Sequence, residues 1–199
     1  MPPRVAPIQA VIVPIIFEQS KKVVLDASHN IKHALETHGY DIHLDDREEY
    51  SPGWKFNEWE LKGVPLRIEL GPKDLEKHQC VIVRRDTGKK EFVNLANVKD
   101  AVKSTLDQMH NDMLAEAKLH LDANLAEART MDDLVKHIKD KHMTLVPFCG
   151  EAGCEEYIKE ATEGAVSRCS PFGKHPQAGM KCVQCGKDAK TMTYFARAY

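Results

Sequence analysis

The stretch "IQAVIVPIIF" (residues 8–17) opens the structured part of the chain and largely decides the fold class. Its continuous apolar run is typical of a buried strand, and Pro14 ends it because proline lacks a ladder N–H group. Residues 20–38 follow with apolar side chains at helical spacing, and Gly39 stands where a helix would stop. "YDIHLDD" (40–46) predicts a short strand, so the chain alternates strand, helix and strand.

More strands and one long helix complete this first part. "VPLRIELG" (64–71) alternates apolar and other residues as a half-buried strand does. "QCVIVRRD" (79–86) and "KKEFVNL" (89–95) predict the two strands of a hairpin, because the Asp-Thr-Gly sequence at their junction favours a tight turn. Residues 97–125 place apolar side chains on one helix face. The pattern predicts a compact α/β domain over residues 1–128.

One segment of this domain combines aromatic and charged residues. "GWKFNEWELKGVPLRIELG" (53–71) contains both tryptophans, Trp54 and Trp59, together with Phe56 and many charges. We interpret its first half as an aromatic and charged loop in which the two tryptophans pack against the domain. Unpaired nucleic-acid bases stack on aromatic rings and are recognised by charged side chains, so this composition suits a module that binds single-stranded nucleic acid.

The second part of the chain, residues 129–199, is marked by cysteines in two close pairs. Such pairs in glycine turns each supply two thiolates, and two pairs complete the tetrahedral shell of a structural zinc ion. The sequence therefore predicts a closed zinc site with the ligands Cys149, Cys154, Cys182 and Cys185.

Other roles for the cysteines stay open at this point. Cys169 is a possible substitute ligand, although a lone cysteine is more often a small buried residue. Cys80 is expected to pack inside a strand. A redox role for Cys182 and Cys185 is the rival interpretation, but it requires a strand–motif–helix context that the following residues do not supply.

Composition excludes several classes of function. The chain has 28 Lys and Arg against 30 Asp and Glu, so any nucleic-acid contact must come from a local patch such as residues 84–90. That basic cluster is either an exposed turn or a phosphate or base contact. No apolar run is long enough to span a membrane, and no signal peptide is recognisable, which favours a cytoplasmic protein with reduced cysteines. No phosphate-binding loop, dinucleotide fingerprint or activated nucleophile is present, so a self-contained enzyme is not expected.

Several long motifs resemble those of one family, the prolyl-tRNA synthetases of the archaeal and eukaryotic type, over their C-terminal half. The motifs are "PPRVAPIQAVIVP" (2–14), "PGWKFNEWELKGVPLRIELGPKDL" (52–75), "VIVRRDTGKK" (81–90), "CGEAGCEEYIKEAT" (149–162), "CVQCG" (182–186) and "YFARAY" (194–199). The resemblance implies a class II anticodon-binding domain, with a mixed sheet of about five strands flanked by helices, followed by a small α+β zinc-binding domain.

The resemblance also implies partners and cofactors. The family's catalytic domain, which uses ATP and Mg²⁺ to attach proline to its tRNA, lies upstream of the matching motifs and would be a partner of this chain. The chain would supply recognition of the proline tRNA through its anticodon, and the parent enzyme would be a homodimer, mostly through the catalytic domain. The alternative is a free-standing RNA-binding or scaffold module without ligase activity.

Site residues follow from the same resemblance. Anticodons for proline share two guanines, whose N1–H and N2–H groups a carboxylate can accept and whose O6 and N7 accept from arginine or lysine. The family's roles fall on Glu60, Arg67 and Lys89, with Phe56 as a stacking platform, and its zinc ligands on the two cysteine pairs. A surface ion pair between Glu60 and Arg67 is the competing interpretation. The terminal Tyr199 resembles the family's C-terminal tyrosine, which reaches back toward the catalytic domain.

Overall fold

A computed structural model describes residues 1–198 of the chain, so Tyr199 and its expected role lie outside it. The chain divides into two compact units, Met1–Glu116 and Ala117–Tyr199. Within residues 1–198, none of the helices combines the length and the apolar composition needed to cross a bilayer.

The first unit is built on a mixed sheet of five strands in the spatial order β2–β1–β3–β4–β5. Strand β1 pairs in parallel with β2 and with β3, whereas β3, β4 and β5 pair antiparallel. The strands are β1 Ala10–Pro14, β2 Ile42–Leu44, β3 Leu66–Leu70, β4 Gln79–Arg84 and β5 Lys90–Asn94. The mixed sheet of about five strands implied by the resemblance and the hairpin predicted over residues 79–95 are thus confirmed.

Helices cover the two faces of this sheet unequally. They are α1 Lys21–Glu36, α2 Pro52–Leu61, α3 Pro72–Glu76 and α4 Val98–Ala123. The main core joins one sheet face to α1 and α4, where Leu35 and Met109 are fully buried. A smaller cluster on the other face packs Trp59 of α2 and the neighbouring Val64 against Val11 of β1. Strand β1 therefore buries apolar side chains on both of its faces, as an interior strand of the sheet does.

Residues 52–61 form a helix, so the expectation of a loop in this segment was wrong. Ser51 caps the helix by accepting a hydrogen bond from the Trp54 backbone N–H at 3.3 Å, and Pro52 occupies the first turn, where its missing N–H costs nothing. Gly63 ends the segment with φ of +78°, a conformation that glycine adopts without strain. The mixed aromatic and charged pattern does not indicate a helix, but the capping serine, the proline in the first turn and the glycine at the end do.

The second unit is a four-stranded sheet in the order β6–β7–β9–β8 with two helices. Its elements are β6 Leu125–Glu127, α5 Met131–Lys139, β7 Met143–Phe148, α6 Ala152–Ala161, β8 Ala165–Cys169 and β9 Thr191–Arg197. Thr130 caps α5, since its Oγ1 accepts from the Asp133 N–H at 3.2 Å. Three of the cysteines, Cys149, Cys154 and Cys182, belong to its buried core.

Candidate functional site

A buried polar network fixes helix α2 on the sheet. Asp45, just after β2, accepts hydrogen bonds from Trp59 Nε1 at 2.8 Å and from Arg47 Nε and Nη2, both at 2.8 Å. Lys55 Nζ donates to the Asp45 carbonyl oxygen at 3.1 Å. Burial disfavours the Asp45 carboxylate, but the hydrogen bonds from Arg47 and Trp59 hold its pKa well below the usual 3.8. The orientation of α2 therefore depends on paired groups that are costly to separate.

Anchored in this way, α2 brings three of the four predicted base-binding residues together. Phe56 and Glu60 lie one helical turn apart and face β3. Glu60 Oε1 accepts from Arg67 Nη1 at 2.8 Å, and the Arg67 guanidinium lies 4.1 Å from the centre of the Phe56 ring. The Arg67 side chain is only 11% exposed, whereas that of Glu60 is 51% exposed. We call Phe56, Glu60 and Arg67 the α2–β3 cluster.

A second acidic group, Glu69, orients the arginine of this cluster. Glu69 Oε1 accepts from Arg67 Nε at 3.0 Å, so two carboxylates and an aromatic ring hold one guanidinium. Such a rigid guanidinium plane can stack on a base, while the half-exposed Glu60 carboxylate can accept two guanine N–H groups. Because Arg67 covers one face of Phe56, the ring supports the guanidinium plane as well as offering a stacking surface.

The fourth predicted residue, Lys89, lies elsewhere. It precedes β5 and lines a shallow depression together with Arg84, Thr105 and Gln108. Arg84 in turn pairs with Asp112 of α4 at 2.9 Å, on the side of the sheet that the long helix covers. In the part of the chain that the structure describes, Lys89 makes no hydrogen bond or ion pair with the α2–β3 cluster.

The next residue, Lys90, is the lysine on the cluster's side of the sheet, and the sequence analysis missed it. Arg67 pairs with Val83 across the sheet, and Val83 pairs with Lys90, so the three side chains share one face. Lys90 Nζ lies 3.6 Å from Glu69 Oε2. The strand register identifies Lys90, because shifting the pairing by one residue moves a side chain to the other face of the sheet.

The two tryptophans have different surroundings. Trp59 is 6% exposed and packs as expected, with Lys62 Nζ at 4.2 Å from its ring centre. Trp54 is 45% exposed and stacks on Tyr50 at 3.9 Å instead of packing into the domain. The expectation of packing therefore holds for Trp59 and fails for Trp54.

The four paired cysteines converge in the second unit. Their sulfur atoms, on Cys149, Cys154, Cys182 and Cys185, all lie within 4.8 Å of one another. Sγ of Cys149 is 3.6 Å from that of Cys154 and 3.8 Å from that of Cys185. Tetrahedral thiolates about 2.3 Å from a zinc ion would lie about 3.8 Å apart, so the spacing fits such an ion. The four cysteines could hold a metal ion.

Local structure explains this convergence. Cys149 directly follows β7, and Cys154 lies in the first turn of α6. The tight turn at residues 182–186 supplies the other two, Cys182 and Cys185. Burial raises the pKa of Cys149 and Cys154, whereas backbone N–H groups outweigh burial and lower the pKa of Cys182 to about 7. Ionising clustered thiols creates repulsion that a divalent cation would remove.

The other two cysteines lie outside this group. Cys169 is exposed at the end of β8 and is not among the converging ligand atoms of residues 1–198. Cys80 is buried in β4, and burial raises the pKa of its thiol to about 11, as expected for a packing residue.

Comparison with known proteins matches both units. Residues 9–105 match the family model for the anticodon binding domain, and residues 131–199 match the model described as prolyl-tRNA synthetase, C-terminal. The chain is 44% identical over 200 residues to proline–tRNA ligase 2 of Clostridioides difficile and 46% identical over 200 residues to the proline–tRNA ligase of Acetoanaerobium sticklandii. It is 44% identical over 200 residues to that of Oceanobacillus iheyensis.

These matches cover all of this chain but only part of the relatives. The chain spans 41%, 41% and 40% of the three proteins, about two-fifths of their length. All three relatives are bacterial, so they do not support the finer expectation of an archaeal or eukaryotic type.

Proposed function

We propose that the chain recognises the anticodon of proline tRNA for a proline–tRNA ligase, because residues 9–105 match the anticodon binding domain and residues 131–199 match the C-terminal model of prolyl-tRNA synthetase. The parent activity would be ATP-dependent attachment of proline to this tRNA, with ATP and Mg²⁺ bound by a catalytic domain outside the matched part. The observation that carries the proposal is the α2–β3 cluster, which lies within the anticodon-binding match.

The chemistry of the cluster suits guanine. Glu60 would accept the N1–H and N2–H groups of one guanine, exchanging its hydrogen bond with Arg67 for two from the base. Arg67 would then be free at Nη1 to donate toward O6 or N7, while Phe56 and Glu69 keep its plane in position. A simple surface ion pair would not need an aromatic ring and a second carboxylate on the same arginine.

Lys89 and Lys90 contribute differently in this proposal. Lys90, 57% exposed beside Glu69, is the lysine best placed for the base or phosphate next to the cluster. Lys89, assigned through the family motif, would need to reach around the hairpin to contact the same RNA.

In the second unit the four cysteines would bind one structural zinc ion. The sulfur spacing supports zinc, because four thiolates in a tetrahedral arrangement are its usual structural ligands. Because four thiolates would fill the tetrahedral shell, no coordination position would be open for a substrate, so the ion would stabilise the fold and supply no chemistry.

The proposal also covers the domain bounds, the family type, the location and the oligomeric state. The boundary near Arg129 falls between the two matched regions, which supports domains at residues 1–128 and 129–199. The archaeal and eukaryotic type, the cytoplasmic location and a homodimeric parent enzyme, joined through the catalytic domain, rest on the family motifs alone.

Binding measurements with one altered carboxylate test the proposal. We expect Glu60→Gln to lose most of the preference for proline tRNA over the same tRNA with both shared guanines replaced by adenine. A bidentate base contact contributes about 1–3 kcal/mol of discrimination, or roughly 5- to 100-fold in relative affinity. The control is Glu76→Gln, which alters an exposed carboxylate on α3.

The folded state should be nearly unchanged by this substitution. Exposed ion pairs contribute about 0–1 kcal/mol, so both variants should unfold at almost the wild-type denaturant concentration. Equal losses of affinity for both tRNAs would show that Glu60 does not recognise guanine and would contradict the proposal.

A further inference from the structure

Phe92 is a large aromatic residue on the surface of the first unit, where it is 67% exposed. It lies in β5, the edge strand of the five-stranded sheet. Exposed aromatic residues on an edge strand favour aggregation, so folded proteins usually avoid them unless they bind something. Neither the core nor the α2–β3 cluster uses this ring.

The strand register places Phe92 on the same sheet face as the cluster. Glu69 pairs with Val81, and Val81 pairs with Phe92, so these three side chains form one row across the sheet. The adjacent row contains Arg67 and Lys90. The face therefore continues from the α2–β3 cluster to the edge of the sheet without changing sides.

The separation suits neighbouring nucleotides of one unpaired loop. Phe92 is two strands and two residues away from Arg67, which corresponds to roughly 12 Å between their Cα atoms. That distance equals about three or four stacked bases, and fewer when the bases are splayed apart, as in recognised RNA loops. A base bound at Arg67 therefore leaves a nearby base of the same loop within reach of Phe92.

The surroundings of Phe92 favour a base over a protein partner. Its neighbours on this face are Val81, which is only 7% exposed, and the polar residues Lys90 and Asn94 on either side of it in β5, so the ring is not part of a broad exposed apolar patch. Protein interfaces need a contiguous apolar centre, whereas base stacking needs one ring and a nearby cation for the phosphate. Sheet-surface aromatics with this arrangement bind single-stranded RNA in other folds.

We propose that Phe92 stacks on a second unpaired base of the same anticodon loop, with Lys90 contacting the intervening backbone. The inference rests on the proposed function and extends its binding surface from the α2–β3 cluster to the sheet edge. Stacking does not depend on base identity, so Phe92 would contribute affinity and Glu60 selectivity.

The test uses the full chain and synthetic anticodon stem-loops of proline tRNA carrying 2-aminopurine at each unpaired position in turn. We expect Phe92→Ala to raise the Kd roughly 5- to 100-fold, which is the range for loss of one stacked base. The loss should be equal for the native loop and for the loop lacking the two guanines. At one position, fluorescence quenching on binding should disappear.

Three controls make the result specific. Phe92→Tyr keeps the ring and should bind as wild type, whereas Phe92→Leu keeps an apolar side chain without a ring and should behave as Phe92→Ala. Phe172→Ala removes a fully exposed phenylalanine of the second unit and should leave RNA binding unchanged. Wild-type binding by Phe92→Ala or by Phe92→Leu would overturn the inference.

The two proposals fail in different ways. Loss of guanine preference in Glu60→Gln together with unchanged binding by Phe92→Ala would remove Phe92 and leave the proposed function intact. A wild-type chain that binds both loops equally would refute the proposed function, and the inference would fall with it.

Discussion

The α2–β3 cluster and the four-cysteine group place functional side chains in opposite relations to the fold. Glu60 is half exposed and stands on a helix that other residues anchor, while the main core of its unit lies on the far face of the sheet. Three of the four cysteines are themselves part of the core of the second unit. In the proposed roles, the first arrangement would separate binding from stability, whereas the second would make the metal ligands part of the core.

The difference follows from how much apolar surface each unit can bury. The first unit closes a core of sixteen buried residues between its sheet and two helices. In the second unit, residues 170–190 contain no helix or strand beyond one bridge between Lys181 and Asp188. A small unit with such a segment gains stability from a metal where further apolar burial is lacking.

The largest expected effect is loss of the metal ligands. Cys182→Ser should abolish zinc binding and unfold residues 131–198, because structural zinc supplies about 10–16 kcal/mol in small domains. Hydrogen exchange should show lost protection in β7 and β9 but retained protection in β1 and β3. Cys169→Ser is the matched control and should keep one zinc per chain; protected β7 amides after complete chelation would refute the role of the metal.

Breaking the Asp45 network tests whether the first unit also depends on a polar centre. Asp45→Ala removes the acceptor of Trp59 Nε1 and of two Arg47 hydrogen bonds, and it leaves the buried Lys55 ammonium without the carboxylate 3.8 Å away. It should lower the free energy of unfolding by about 3–5 kcal/mol. Denaturant unfolding followed by Trp59 fluorescence measures it. Asp46→Ala, at an exposed neighbouring position, should change stability little. Equal stability of the two variants would mean that packing alone holds α2.

Acid should weaken the same network. The pKa of Asp45 is lower in the folded chain than its ordinary value of 3.8, so the unfolded chain binds more protons at low pH. The stabilisation is fully present above about pH 5 and is lost as the pH falls through 4 and below. Asp45→Asn should show a flatter loss of stability between pH 5 and pH 3, and identical slopes would contradict this assignment.

The smallest expected effect separates two adjacent lysines. Lys90→Ala should weaken tRNA binding uniformly across sequences and reduce the slope of log affinity against log salt by about 1, as for one phosphate contact. Lys89→Ala should have the lesser effect, because its side chain lines the depression beside α4. The reverse order would return Lys89 to the binding surface, as the family motif predicts.

Much of the first unit could be predicted because its signals are local. The apolar run of β1 and the apolar stripe on one side of α1 each indicate the type of element within a few residues. Helix α2 was missed because its buried positions include Lys55, whose partner Asp45 lies in another element. Strands β8 and β9 were not predicted. The position of β9 between β7 and β8 pairs segments that are distant in sequence, so no local pattern reveals it.

The sequence by itself determined the α/β class and the two cysteine pairs, since residue type and short spacing carry these signals. The association of Phe56, Glu60 and Arg67 followed from the family resemblance of the motif at residues 52–75. Only the tertiary structure decided that Lys90 instead of Lys89 shares the face of Arg67, and that Phe92 continues this face. The physical reason is that side chains alternate along a strand, so the face of each residue depends on cross-strand register, which is set by pairing between distant segments.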